Sequence, residues 1–341
     1  MAYTNIDKPE DFFNTVTYTG DGSADQSITG VGFKPDFLWL KRRNASERHV
    51  LTNVQMGVSD GAYKWLDASD VSAEFSGGTG VASFDSDGFT IKTSDATWNT
   101  NSSTYVLWSW KLNGGTTATN SDGSTNTTVQ ANTTSGVSVV TFTTDGGDET
   151  YGHGLGVKPD IVLVKSVSGA GSWLFTTDVF DGSVDYLVMN SEGYKSNLSY
   201  GAFTSSTFQY NDNNGITQIA YCFASKKGFS KYGTYIGNQS ADGPFVYTGF
   251  KPAWVLIKAN SNYKYWNIFD NKRNPFNGVD KRLAPSLQAG EDTVSSIDFL
   301  SNGFKIRNNS TTINENGTTI LYMAFAEQPF VTSTGIPTTA R

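Results

Sequence analysis

Gly32-Phe33-Lys34-Pro35-Asp36-Phe37-Leu38-Trp39-Leu40-Lys41 decides the fold class, because the chain writes this phrase three times. The second copy is Gly156-Val157-Lys158-Pro159-Asp160-Ile161-Val162-Leu163-Val164-Lys165. The third is Gly249-Phe250-Lys251-Pro252-Ala253-Trp254-Val255-Leu256-Ile257-Lys258. Glycine lets the chain turn, proline fixes φ, and the residue before proline is pushed toward extended geometry. An uninterrupted apolar run follows, rich in Val, Ile, Phe and Trp. Such a run, bounded by turn signals, predicts a strand buried on both faces, with the closing lysine returning the chain to water. A repeat of this kind sets the architecture before any site is considered.

Each copy sits in a longer unit. A strand ending in a glycine turn precedes it: Tyr18-Thr19-Gly20-Asp21-Gly22, Phe142-Thr143-Thr144-Asp145-Gly146 and Tyr235-Ile236-Gly237-Asn238. An aromatic-rich strand closes it: Tyr105 to Trp110, Gln218 to Ala224 and Ile320 to Ala326. The first and third units share a hairpin phrase, Ser86-Asp87-Gly88 and Ser301-Asn302-Gly303, which supplies positive φ at the reversal. The second offers Asn211-Asp212-Asn213-Asn214-Gly215 as its turn.

These boundaries divide the chain into an N-terminal arm (1–12), three modules (13–112, 136–226 and 227–328) and a C-terminal tail (329–341). Residues 113–135, where Asp122 is the single charge, read as a polar linker or as an edge strand pairing with a neighbouring chain. The second and third modules abut through Lys226-Lys227-Gly228 and are expected to be rigidly related. A unit of ~95 residues buries its own core. The expectation is an all-β protein of three tandem antiparallel β-sandwich-like modules, with sheet sharing between neighbours as the alternative.

Composition agrees with short strands and polar turns. Among 341 residues there are 35 glycines, aromatics make up 13% and charged residues 17%. The formal net charge is −7, and Lys41-Arg42-Arg43 is the densest basic run, so no broad basic face for nucleic acid is expected. No apolar stretch is long enough to span a bilayer, and the N-terminus lacks a signal pattern. The lone Cys222 lies in an apolar run and reads as a small buried hydrophobe.

Catalytic chemistry is sparse. His49 and His153 fall in different units, and His153 reads as a turn residue. Gly57-Val58-Ser59-Asp60-Gly61 matches a nucleophile elbow, but its flanks do not read as strand and helix, so a surface turn is expected. One cysteine and two dispersed histidines do not make a zinc set. Asp21, Asp85 and Asp87 offer oxygens, yet no acidic partner follows at calcium-loop spacing. No acid recurs in phase with the repeat, as paired carboxylates in every unit would require. No catalytic residue, metal or cofactor is therefore expected.

Sugar binding is the live functional alternative, since exposed aromatic rings stack on sugar faces. Trp173 and Trp266 fall in matching apolar runs and read as core. Trp98, with Asn99 and Asn101, and Tyr263 are the surface candidates.

The phrases NIDKPEDFFNTVTYTGDG (5–22), GFKPDFLWLK (32–41), SFDSDGFTI (83–91), TYVLWSWKLNGGT (104–116), GHGLGVKPDIVLVK (152–165), FSKYGTYIGNQSADGPFVYTGFKP (229–252) and MAFAEQPF (323–330) together carry a resemblance. Over residues 6–341 the chain resembles a three-repeat domain family of unknown function from virion proteins of marine tailed bacteriophages. The resemblance implies a non-catalytic structural protein, made in the host cytoplasm and incorporated in the virion as tail fibre, appendage or surface decoration. It implies other virion proteins as partners and a homo-oligomeric state, with a host surface glycan as a further ligand and no membrane insertion. Some members are linked to lectin-like sandwiches; no site residues carry over. The chain lacks the coiled-coil heptads of long fibres, which favours a short appendage or a head decoration.

Overall fold

The apolar runs of the repeat become the middle of three sheets. The computed structural model describes residues 2–338 except Tyr200 and Asn262, and of Ser295 the backbone alone. Residues 339–341 of the expected tail lie outside the described residues. The protein is all-β, built from antiparallel sheets in three sandwich-like units.

One strand order recurs. In the first unit Phe13–Thr19 pairs with Thr104–Trp110, which pairs with Phe37–Arg42, then His49–Asn53. The second repeats it with Val137–Thr143, Thr217–Phe223, Ile161–Ser166 and Leu174–Thr177. The third uses Ser230–Ile236, Thr319–Pro329, Phe250–Ala259 and Asn267–Asp270. An outer sheet covers each inner one: Gln26–Thr29 with Gly88–Ile91 and Val81–Asp85; Glu149–Gly152 with Thr207–Tyr210; Phe245–Tyr247 with Gly303–Ile306, Asp292–Leu300 and Val279–Arg282.

Alternation along each repeat strand then feeds two cores. Leu38 and Leu40 pack under the first outer sheet, Val162 and Val164 under the second, Val255 and Ile257 under the third. The opposite faces, Phe37 and Trp39, Ile161 and Leu163, Trp254 and Leu256, enter one common core drawn from all three units. The units therefore share a core rather than sheets. At its centre Trp110, Phe223 and Phe325 occupy equivalent positions on the three closing strands. Their centroids lie 6.5, 5.6 and 6.3 Å apart, all edge-to-face.

Turn chemistry follows the outer hairpins. Gly88 and Gly303 are required by close approach: a Cβ would sit 1.9 Å from the Ile28 carbonyl oxygen at the first and 2.0 Å from that of Val246 at the second. In the second unit the hairpin reverses at Ser205-Ser206, where Phe203 bridges Phe208 and the Thr204 and Thr207 side chains bond. The asparagine-rich 211–215 stretch instead leads from the outer to the inner sheet.

Residues 113–135 are not a free linker but the edge of a sheet. Ala118–Asn120 and Thr127–Asn132 extend the second inner sheet beside Val137–Thr143. The Asp36 carboxylate holds this segment to the first unit, accepting from Leu112 N (2.7 Å), Gly114 N (3.1 Å) and Gln130 Nε2 (2.7 Å). The N-terminal arm lies against the third unit: Tyr3 donates to the Gly249 carbonyl at 2.7 Å, and Asp7 accepts from Ser333 N at 2.6 Å.

Candidate functional site

The closing lysines do not reach water. Lys41, Lys165 and Lys258 are buried. Each Nζ donates to backbone carbonyls: Lys41 to Arg42 (2.8 Å), Gln288 (3.1 Å) and Ala45 (3.4 Å); Lys165 to Ser72 (2.6 Å), Ser166 (3.1 Å) and Val71 (3.3 Å); Lys258 to Ala259 (2.8 Å). Burial pushes each ammonium down to about 8. Their burial has one cause: every unit lays a loop over the strand end of the next. A first-unit loop caps Lys165 and a third-unit loop caps Lys41. A second-unit loop meets the third, where Lys264 N donates to the Glu192 carbonyl (3.2 Å) and Lys195 N to Asn260 Oδ1 (2.8 Å).

Lys41 pairs with His49 in the ladder, and extending the other two registers by one residue sets Trp173 across from Lys165 and Trp266 across from Lys258. Trp173 Nε1 donates to the Asp67 carbonyl of the first unit (2.7 Å), and Trp266 Nε1 to the Val188 carbonyl of the second (3.2 Å). His49 takes the third place. Its Nδ1 accepts from Trp39 Nε1 (3.2 Å), while Nε2 lies beside the Ala284 backbone without reaching hydrogen-bond geometry. Burial, then Lys41 and Arg273, depress the His49 pKa, so the ring is neutral. The same junction holds a largely buried ionic chain. Arg43 is bidentate on Glu291 (2.9 and 3.1 Å), Glu291 also meets Arg273 (3.2 Å), and Arg273 pairs with Asp270 (2.6 Å), which accepts from Trp108 Nε1 (3.1 Å). These buried ionisable groups lock units together and are closed to a substrate.

The other suspected groups are committed locally. Ser59 sits at a two-strand surface turn, with Asp60 and Gly61 at φ 52° and 81°, and its hydroxyl lies 3.4 Å from Asp60. His153 Nδ1 accepts from Leu155 N (3.1 Å) and shapes the turn before the second repeat strand. Asp85 accepts from Ser83 and Thr90, and Asp87 from the Gly30 and Gly32 amides. Cys222 is buried, which raises its thiol to about 12. Among the described residues no group of three or more His, Cys, Asp and Glu side chains is arranged to hold a metal ion.

The sugar-binding candidates separate. Trp98 is fully buried, edge-on to Trp65 at 6.0 Å, and cannot stack on a ligand. The loop carrying it folds inward because Asp95 caps the Thr97 and Trp98 amides while Tyr18 and Tyr105 donate to the Trp98 and Ala96 carbonyls. Asn99 is buried too: its amide donates to Asp21 Oδ1 (3.0 Å) and the Ser23 carbonyl (2.8 Å), and its Oδ1 accepts from Asp21 N (2.9 Å). Asn101 is exposed, packed over Gly22. Tyr263 remains a surface residue, 84% exposed at a positive φ of 58°, beside a shallow depression with Asn190, Glu192 and Ser286.

A broader concavity lies elsewhere on the third unit. A groove of about 600 Å³ runs past Lys251, Glu327, Gln328 and Asn302, and opens into a second depression of about 410 Å³ under Phe276. Phe276 is 82% exposed at the tip of Asn274-Pro275-Phe276-Asn277-Gly278. Asn274 and Asn277 pin the loop. Asn274 Oδ1 accepts from Lys281 N (2.8 Å), and Asn277 exchanges bonds with the Phe299 backbone (2.9 and 3.1 Å). On the groove floor Lys251 pairs with Glu327 (3.0 Å), Asn271 Nδ2 donates to Glu327 (2.8 Å), and the buried Asn271 Oδ1 has no partner among the described residues. A fixed ring above amide and charged groups suits a sugar face and its hydroxyls. The sequence signal for this site is a lone phenylalanine between turn-forming residues, a place with no folding role for an aromatic.

With this geometry in view, comparison with known proteins adds a family. Residues 8–329 match the model of a domain of unknown function, DUF7483, so the chain belongs to that family. No curated protein and no solved structure matches it significantly.

Proposed function

We propose that this DUF7483 chain is a non-catalytic structural protein of a tailed-bacteriophage virion, a short fibre or appendage component or a surface decoration. The supporting observation is where its ionisable groups lie. Lys41 and Lys165 donate to carbonyls of a neighbouring unit, Lys258 and His49 are buried at the same kind of junction, and the Arg43–Glu291–Arg273–Asp270 chain ties the first unit to the third. A molecule made this way is selected for rigidity and for contact with neighbours, which here means other virion proteins and further copies of itself. Mass spectrometry of purified particles tests it: the protein is expected in stoichiometric amounts in the virion, and its absence from washed particles refutes the role.

A second reading, compatible with the first, is host-glycan recognition, and the Phe276 groove favours it. Glycan arrays with host surface polysaccharide are expected to give hits that Phe276→Ala reduces at least tenfold, with no change in melting temperature. Equal binding by the variant removes the groove from consideration.

A further inference from the structure

A separate surface carries a different signal. The junction of the second and third units holds three lysines within six positions, Lys226, Lys227 and Lys231, in a chain whose net charge is −7. None of them forms an ion pair among the described residues, whereas Lys158, Lys195, Lys251 and Lys305 each have a carboxylate partner. Lys227 Nζ stands 4.3 Å over the Tyr3 ring, and Lys231 Nζ 5.2 Å over the Tyr247 ring. The two tyrosine hydroxyls are 3.5 Å apart, and Tyr247 is 49% exposed. A cavity of about 430 Å³ opens between Tyr3, Thr133, Thr134, Lys226 and Lys227. Burial lowers the pKa of Lys226 and Lys231, and no carboxylate opposes it at either; only the Tyr247 hydroxyl does so at Lys231.

We propose that this junction is a binding site for an acidic saccharide, a sugar bearing carboxylate or sulfate. The anion answers ammonium groups that have no carboxylate beside them: Lys226 and Lys231 are half-buried, Lys231 Nζ donating to the neutral Tyr247 carbonyl (2.7 Å), and Lys227 is exposed at the rim. The sugar face lies on the exposed tyrosine, and the Thr133 and Thr134 hydroxyls meet its hydroxyls. The net negative charge of the chain disfavours a long polyanion such as nucleic acid and favours a ligand with one or a few charges. This assignment rests on the saccharide reading above but uses a surface separate from the Phe276 groove.

The test is binding of the full chain to three oligosaccharide sets, uronate-bearing, sulfated and neutral, by calorimetry at low and high salt, with a short oligonucleotide as the competing polyanion. The acidic sets are expected to bind, to weaken as salt rises, and to lose at least tenfold in Lys226→Gln/Lys227→Gln, while Phe276→Ala leaves them unchanged. The two acidic sets tell carboxylate from sulfate. Circular dichroism of the lysine variant, expected to match the parent, separates lost binding from lost fold. Acidic binding that survives the lysine changes, or that disappears only with Phe276→Ala, overturns the site and leaves the groove standing. An oligonucleotide bound more tightly than either acidic sugar overturns the ligand class. No binding of any saccharide overturns both.

Discussion

Single residues show where local reading succeeds and where it stops. Cys222, Trp173 and Trp266 lie buried because their apolar neighbours announce a core strand. Trp98 and the repeat lysines do not follow their neighbours. Polar flanks suggest an exposed Trp98, yet side-chain caps from Asp95 and carbonyl bonds from Tyr18 and Tyr105 turn it inward. Trp98→Ala should therefore cost about 3–5 kcal/mol in denaturant unfolding, as a large cavity does, rather than affect binding alone. The lysines look like strand ends facing water because the loops that cover them come from other units. Their repetition at one position was the available hint. Their folded pKa is lowered to about 8 from 10.5, so above pH 8 the unfolded chain holds protons that the folded chain has released. Stability should rise from pH 8 to pH 9, the three lysines outweighing the smaller opposing contribution of Cys222, whose thiol ionises in the unfolded chain around its ordinary value of 9.0. Lys258→Met, which orphans only the Ala259 carbonyl, should flatten that rise by about a third in thermal melts across the window.

Elements were legible in proportion to how local their cause is. The doubly buried strands are written in uninterrupted apolar runs, and the hairpins at Gly88 and Gly303 in a residue that alone tolerates the approaching carbonyl. The second unit's hairpin carries no such signal, because Ser205-Ser206 at its reversal contains no glycine. Residues 113–135 have linker composition but become sheet edge, since Asp36 gathers three donors from that segment and its flank. Asp36→Ala leaves those donors without their acceptor. A loss on the order of 3 kcal/mol is expected, measured by chemical denaturation, with earlier hydrogen exchange in 112–132 than elsewhere. A neutral effect would mean the segment is held by its backbone ladder alone.

The repeat itself is plain in the sequence at the scale of the whole molecule, but the closure of three units around one core is not. A strand buried on both faces reads the same whether its second face meets another unit or another layer of its own. The face-sharing arrangement predicts a single calorimetric transition over the whole chain, because the core built around Trp110, Phe223 and Phe325 belongs to no unit alone. Phe223→Ala should destabilise by roughly 3–5 kcal/mol and lower that one transition as a whole. Three resolved transitions would refute the shared core. The three junctions are nonetheless unequal. Peptide links the first unit to the second and the second to the third, whereas the third meets the first through side chains, loops and the docked N-terminal arm, with no covalent connection at the His49 junction. That unbridged seam is where an imidazole replaces indole. Because the folded His49 resists protonation, acid below about pH 6.5 favours the open chain. The molecule thus has a built-in order of failure. On acidification it should part first between residues 43–53 and 283–291, like a clasp undone before the links of its band, and hydrogen exchange at pH 5 would record that sequence.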